Sequence, residues 1–212
     1  MSISLIKRLI YFENIGVALR NGKNVSDFRF DQVYPAHVQE CSNPHWTPVA
    51  VAKRAAEWLV ADSGARILDV GSGAGKFCIV GALTTDGEFV GIEQRPYLVE
   101  AAQSAVKQWN VQRASFVAGN MAKIDWHQFT GFYLFNPFYE QINENRRIDK
   151  SISYSGLLFM RYLDIVKDNL RDALPGTRVV TYHGFGGDMP SCYECLISEL
   201  HECGTLELWV KK

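Results

Sequence analysis

Apolar positions along this chain switch between a helical period and short continuous runs. In residues 3–20, Leu5, Leu9, Ile10, Phe12, Ile15, Val17 and Leu19 recur at broadly helical spacing, and Gly22 can end that helix. Residues 24–48 hold Pro35, Pro44 and Pro48, which predicts irregular or short-helix structure. Beyond Pro48, the positions Val49, Ala52, Ala55, Ala56, Leu59 and Val60 make one helical face, with Thr47 as its N-cap before a first-turn proline. Short apolar runs at 65–70, 88–92, 114–118, 132–135 and 179–182 predict strands. A further strand at 205–210 puts Leu206, Leu208 and Val210 on one face. Helical patterns at 76–83, 97–109 and 155–174 alternate with these runs. The last keeps Phe159, Leu163, Val166 and Leu170 together and is stopped by Pro175 and Gly176. No internal repeat interrupts the order.

Strands alternating with helices at this spacing predict an α/β fold with a doubly wound, largely parallel sheet. Ligands of such sheets lie outside the carboxyl ends of the strands. The polar exceptions in this sequence fall there: Asp69 with the glycines after it, Glu93, Asn120 and Asn136 each close a successive strand.

Composition narrows the classes. The 212 residues carry 22 Lys plus Arg against 23 Asp plus Glu, a net charge of −1, with 47% apolar and 21% charged residues. That excludes disorder and collagen-like structure. It also argues against holding nucleic acid by bulk electrostatics, although a local basic patch remains open. No run approaches the roughly 20 apolar residues of a membrane span. Lys7, Arg8 and Glu13 make the N-terminus a poor signal peptide. Five cysteines, an odd count, predict free thiols in a reducing cytoplasm. Cys192, Cys195, His201 and Cys203 are zinc-ligand types, but the second half is a poorly spaced His-x-Cys. The sequence therefore predicts no metal, and small buried thiols between two late strands.

The segment Asp69-Val70-Gly71-Ser72-Gly73-Ala74-Gly75-Lys76-Phe77 admits three nucleotide-site readings. A phosphate-cradling P-loop fails at Val70 and at Phe77, where Ser or Thr is needed. The dinucleotide pattern G-x-G-x-x-G meets Lys76 at its last position. An acid-x-G-x-G-x-G pattern after a strand is met throughout. On this loop, Glu93, Gly119-Asn120-Met121 and Asn136-Pro137-Phe138-Tyr139, the sequence resembles the class I methyltransferases that use S-adenosylmethionine, over roughly residues 46–183. The resemblance implies a three-layer α/β/α Rossmann-like sheet of seven strands, mostly parallel with an antiparallel last strand, plus an N-terminal helical extension. Residues 1–48 would be the cover and 49–212 the cofactor-binding domain, as one compact unit. It implies S-adenosylmethionine as cofactor. Asp69 would face its ammonium, and Gly71, Ser72, Gly73 and Gly75 with the following helix N-terminus its carboxylate. Glu93, with Gln94 beside it, would accept the ribose hydroxyls. Asn120 and Met121 would take the adenine.

Asn136-Pro137-Phe138-Tyr139 resembles the Asn-Pro-Pro-Tyr motif of methyltransferases that act on nitrogen, with Phe138 in place of the second proline. In that group the Asn side chain and the Pro carbonyl accept from the target amine, and the aromatic ring packs on the acceptor. The resemblance thus assigns Asn136, Pro137 and Tyr139 to the acceptor, and Asn136 also to the cofactor set. Glu140, outside the motif, or Tyr139 is a candidate base for an amine acceptor. His183, ahead of Gly184-Phe185-Gly186-Gly187, is another. Thr47 and Pro48 resemble the Thr-Pro segment that covers the cofactor in adenine methyltransferases. Phe28, Phe30 and Tyr34 pack the extension onto the sheet or wall the acceptor. The expected activity is methyl transfer to a nitrogen, with a protein side chain favoured over a nucleobase. The rivals are an RNA or DNA adenine methyltransferase, with Arg146, Arg147 and Lys150 around the cleft, and an inactive cofactor-binding partner subunit.

Overall fold

The computed structural model describes residues 15–201 and 204–212. Most of the first predicted helix, and Cys203, lie outside the described residues; positions 15–20 are helical. The proline-bearing stretch forms three short helices, α1 (Asp27–Asp31), α2 (Ala36–Gln39) and α3 (Ser42–His45). Phe30 and Tyr34 are buried, with Phe30 edge-on to Trp109 at 4.9 Å, whereas Phe28 is 76% exposed.

Helix α4 (Val49–Leu59) buries the alanine-rich face read from its spacing. Its cap differs from the expectation. Pro48 holds the N-cap position and the Val49 N–H donates to Asp27 Oδ1 at 2.9 Å. Thr47 instead pairs its hydroxyl with that of Tyr133 at 2.9 Å, because the residue is buried rather than turned back along the helix.

Strands β1 (Arg66–Val70), β2 (Glu88–Glu93), β3 (Ala114–Ala118), β4 (Gly131–Leu134), β5 (Arg178–Tyr182), β6 (Tyr193–His201) and β7 (Gly204–Lys211) form one sheet in the order β3-β2-β1-β4-β5-β7-β6. The first five are parallel, and β7 runs antiparallel to both β5 and β6. Side chains alternate across it. Ile67, Phe89, Tyr133 and Val180 enter one core with α4, α5 (Lys76–Thr84) and α6 (Pro96–Trp109). Leu68, Val90, Phe132 and Val179 enter the other with α7 (Gly156–Asp172). Both faces are thus covered, which is why the parallel strands read as continuous apolar runs. Ser155 caps α7, accepting from the Leu158 N–H at 3.1 Å. Among the described residues no helix is long and apolar enough to cross a membrane.

Two late features correct the sequence reading. β6 escaped it because it is an edge strand whose register shifts between Cys195 and Ile197, with Leu196 and Leu200 turned outward. For the same reason Cys195 is an exposed thiol, and Cys192 is half-buried; neither is the fully buried residue expected.

Candidate active site

Strand order reverses between β1 and β4, so a crevice opens at their carboxyl ends. The loop after β1 and the turn after β4 meet there: a Cβ on Gly71 would lie 3.3 Å from Pro137 Cβ. A cleft of about 660 Å³ follows the crevice. That is the size of a small-molecule site. Gly71, Glu93, Gln94, Met121, Asn136, Pro137, Tyr139, Glu140 and His183 line it, with His45, Trp46 and Pro48 from the N-terminal side. Below it a cavity of about 30 Å³ touches Thr47, Asp69, Ser72 and Lys76.

The glycine loop is built by close approach. Gly73 has φ 53°, and a Cβ there would overlap the Trp46 ring. Gly71 and Ser72 donate their N–H groups to the Ile92 carbonyl, Gly75 donates to the Ser72 carbonyl, and Gly73 donates to Glu93 Oε2 at 3.2 Å. These four positions therefore supply shape rather than the amide donors expected of them. Ser72 Oγ is buried with no hydrogen-bond partner among the described residues and borders the small cavity rather than the cleft. The loop's shape and two buried carboxylates fit a ligand with the ammonium and hydroxyls of S-adenosylmethionine.

Asp69 is 4% exposed, and burial raises its pKa to about 7, against the Cys78 thiol that donates to it at 3.5 Å. Glu93 is 6% exposed. Burial raises its pKa too, opposed by the Arg95 N–H at 2.9 Å and the Arg95 charge. A carboxylate has about four acceptor positions, so Glu93 retains capacity toward the cleft.

Asn120 departs from its expected place. Its Oδ1 accepts from the Ala122 N–H at 3.0 Å, capping a short 3-10 turn, and its Nδ2 donates to the Tyr162 hydroxyl at 2.7 Å and to Gln94 Oε1 at 3.3 Å. With the amide committed to protein partners, its neighbours Gly119 and Met121 line the cleft.

On the opposite side, Asn136 and His183 are non-glycine residues at φ 39° and 58°. Asn and His tolerate this region better than most side chains. The Asn136 N–H donates to the Gly184 carbonyl at 2.9 Å and the His183 N–H to the Thr205 carbonyl at 3.2 Å, which fix both turns. The Asn136 side chain lines the cleft with no hydrogen bond to another described residue. His183 stacks on Phe135 at 5.6 Å, and burial lowers its pKa, leaving a neutral imidazole at pH 7. Tyr139 is 39% exposed at the rim.

Glu140 is not the free base expected of it. Its Oε2 accepts from Arg95 at 2.6 Å, the Ile148 N–H at 2.9 Å and the Tyr154 hydroxyl at 3.2 Å. Two residues outside the sequence assignment matter more than their motif positions suggested. Arg95 is 3% exposed among carboxylates. Lys76, weighed only as a failed P-loop lysine, is 2% exposed and pairs with Asp27 and with Asp31 at 2.9 Å. It anchors α1 to the first residue of α5. The local signal for both is a charged residue beside a motif, which alone points to no partner.

Residues 61–138 match a protein family described as a methyltransferase domain. The stretch contains Asp69, the glycine loop, Glu93, Asn120 and Asn136. Over these residues the chain is similar to a methyltransferase domain. Solved structures share its fold. An RNA methyltransferase from Salinibacter ruber, in complex with S-adenosyl-L-homocysteine, is 24% identical with a TM-score of 0.57, covering 78% of this chain and 92% of that one. TrmN from Thermus thermophilus is 15% identical with a TM-score of 0.59, covering 82% and 52%. Cofactor-bound Rv0187 from MTB is 16% identical with a TM-score of 0.57, covering 83% and 86%. No curated protein matches the chain in sequence.

Proposed function

We propose that this chain is an S-adenosylmethionine-dependent methyltransferase that modifies a nitrogen, and that the nitrogen belongs to a protein side chain. The observation that carries the reading is Asn136: a side-chain amide at the end of β4 with no hydrogen-bond partner among the described residues, held at φ 39° beside Pro137 and Tyr139 on the cleft wall. Asn136 Oδ1 and the Pro137 carbonyl would accept from the target N–H groups and direct the nitrogen lone pair, while Tyr139 packs on the acceptor. S-adenosylmethionine supplies a methyl already activated on a sulfonium, so these residues need chiefly to position the acceptor. His183, neutral at the cleft wall, would take the proton released. Asp69 would hold the cofactor's ammonium, Glu93 with Gln94 its ribose, and Met121 its adenine.

A nucleobase acceptor is the second reading. Arg146 lines the cleft without an ion pair among the described residues, and the Salinibacter ruber neighbour is an RNA methyltransferase. The rim is mixed, however. Arg147 is spent on Glu144 at 3.2 Å, and Asp27, which lines the same cleft, is paired with Lys76. That balance, with the near-zero net charge, supports the protein reading.

The test is transfer of radiolabelled methyl from S-adenosylmethionine into a cell lysate, followed by separate protease and nuclease digestion. Label released by protease is expected. Label released by nuclease overturns the protein acceptor in favour of the second reading. Incorporation no greater than with Asn136→Gly overturns the role of Asn136.

A further inference from the structure

Arg95 occupies the N-cap of α6, two residues after Glu93, and its guanidinium reaches three segments at once. Nη1 approaches Glu93 Oε1 at 3.5 Å; Nη2 donates to Glu140 Oε2 at 2.6 Å and to the Tyr154 hydroxyl at 2.8 Å; Nε donates to Asp149 Oδ1 at 3.2 Å. Glu140 Oε2 also accepts from the Ile148 N–H at 2.9 Å, and Asp149 Oδ1 from the Ser151 N–H at 2.8 Å. A planar five-donor fork suits such a junction, and an ammonium does not. The segment it grips, residues 140–154, forms one wall of the cleft through Glu140, Arg146, Ile148 and Ile152. Three carboxylates share one guanidinium, so whatever draws on the charge of one changes the hold of the others.

We propose that Arg95 is a positioning residue that couples occupation of Glu93 to the shape of the acceptor wall. This rests on the reading of Glu93 as the ribose-binding acid. Hydroxyls donating to Glu93 draw its charge away from Arg95. The guanidinium then pairs more fully with Glu140 and Asp149, and residues 140–154 tighten when cofactor is present. Coupling of this kind is reciprocal: a wall that cannot tighten costs the cofactor the same factor in affinity.

The experiment is amide hydrogen exchange on the full chain with and without S-adenosylhomocysteine, with affinities from calorimetry, for the wild type, Arg95→Lys and Glu140→Gln. S-adenosylhomocysteine is expected to slow exchange at Ile148 and Ser151 by at least about fivefold in the wild type, the lower range of allosteric coupling. Both variants should bind it more weakly, and the slowing should vanish in each. A role confined to stability would lower protection with and without ligand alike and leave the ligand-induced difference in place. Slowing that persists in either ligand-bound variant overturns the proposal, as does a wild type that binds without slowing. If Glu93→Ala binds as tightly as the wild type, the ribose reading falls, and the proposal with it. Should Arg95→Lys fail to fold, Glu140→Gln decides alone, since it cuts only the acceptor-side link.

Discussion

The two sides of the cleft are held by opposite means. On the β1–β2 side the backbone turns on glycines, every N–H of Gly71, Ser72, Gly73 and Gly75 is satisfied internally, and Asp69, Ser72 and Glu93 are buried. On the β4–β5 side the turns fall on Asn136 and His183, non-glycine residues at positive φ, and Tyr139 stands partly exposed. Backbone conformations of that kind cost about 1–3 kcal/mol each and persist only where the surroundings impose them. On the proposed reading, the first side is a preformed mould for a ligand that does not vary. The second stores strain in side chains that carry their own chemistry, and its wall from 140 to 154 is tied to α6 through Arg95 and Tyr97. On the same proposed reading, selectivity for the acceptor belongs to the second side.

The largest effect is expected where that strain and chemistry coincide. Asn136→Gly keeps the backbone freedom needed at φ 39° and removes only the amide. Turnover should fall by about 10²–10³, the scale of losing a preorganised hydrogen-bonding group. Cofactor affinity measured by calorimetry should stay within a few-fold. Lost affinity with intact turnover per bound cofactor would move Asn136 to the other side of the comparison.

Next is the anchor beneath the glycine loop. Lys76→Met leaves Asp31, 7% exposed, without its cation. Removing one partner of a buried pair costs about 3 kcal/mol or more. Urea unfolding of the variant should show that loss. A midpoint unchanged from the wild type would mean that Lys76 contributes no net stability by tying α1 to α5.

These anchors also mark what was legible in the sequence. The parallel strands were readable because Ile67-Leu68 and Val179-Val180 are buried on both faces, so local hydrophobicity reports them directly. β6 was not, since an edge strand with Leu200 85% exposed has no such signature. Strand-end residues such as Glu93 and Asn136 were legible because topology alone brings strand ends together. The partners of Lys76 and Arg95 were not, because Asp31 and Glu140 each lie 45 residues away and nothing local specifies the pairing. Asn120, within a motif, and Glu140, beside one, show the same limit from the other direction: the sequence places them near strand ends, but their hydrogen bonds to Tyr162 and Ile148 follow only from the fold.

On the mould side the effects should be smaller and read first in cofactor affinity. Glu93→Ala is expected to weaken S-adenosylmethionine by roughly 1.5–3 kcal/mol, the worth of hydrogen bonds to a charged group. Calorimetry giving an unchanged affinity would remove Glu93 from the ribose.

The mildest prediction is a pH dependence belonging to the mould alone. Burial lifts Asp69 to about 7, so at pH 6 the free protein holds it mostly neutral. A cofactor ammonium favours the carboxylate, so binding below pH 7 should release a proton. Affinity should then rise with pH, by up to about tenfold per unit, and level off above 7. Folding carries the opposite sign. Between about 4, the unfolded value, and 7 the native state keeps a proton that the unfolded chain has lost. The stabilisation from this raised pKa is full below the unfolded value and is lost as pH rises through 7. Asp69→Asn should flatten both profiles without touching the acceptor side. Calorimetry at pH 6 in buffers of different ionisation enthalpy reads the proton directly. Release of none from the wild type would show that Asp69 keeps its proton in the complex and does not meet the ammonium.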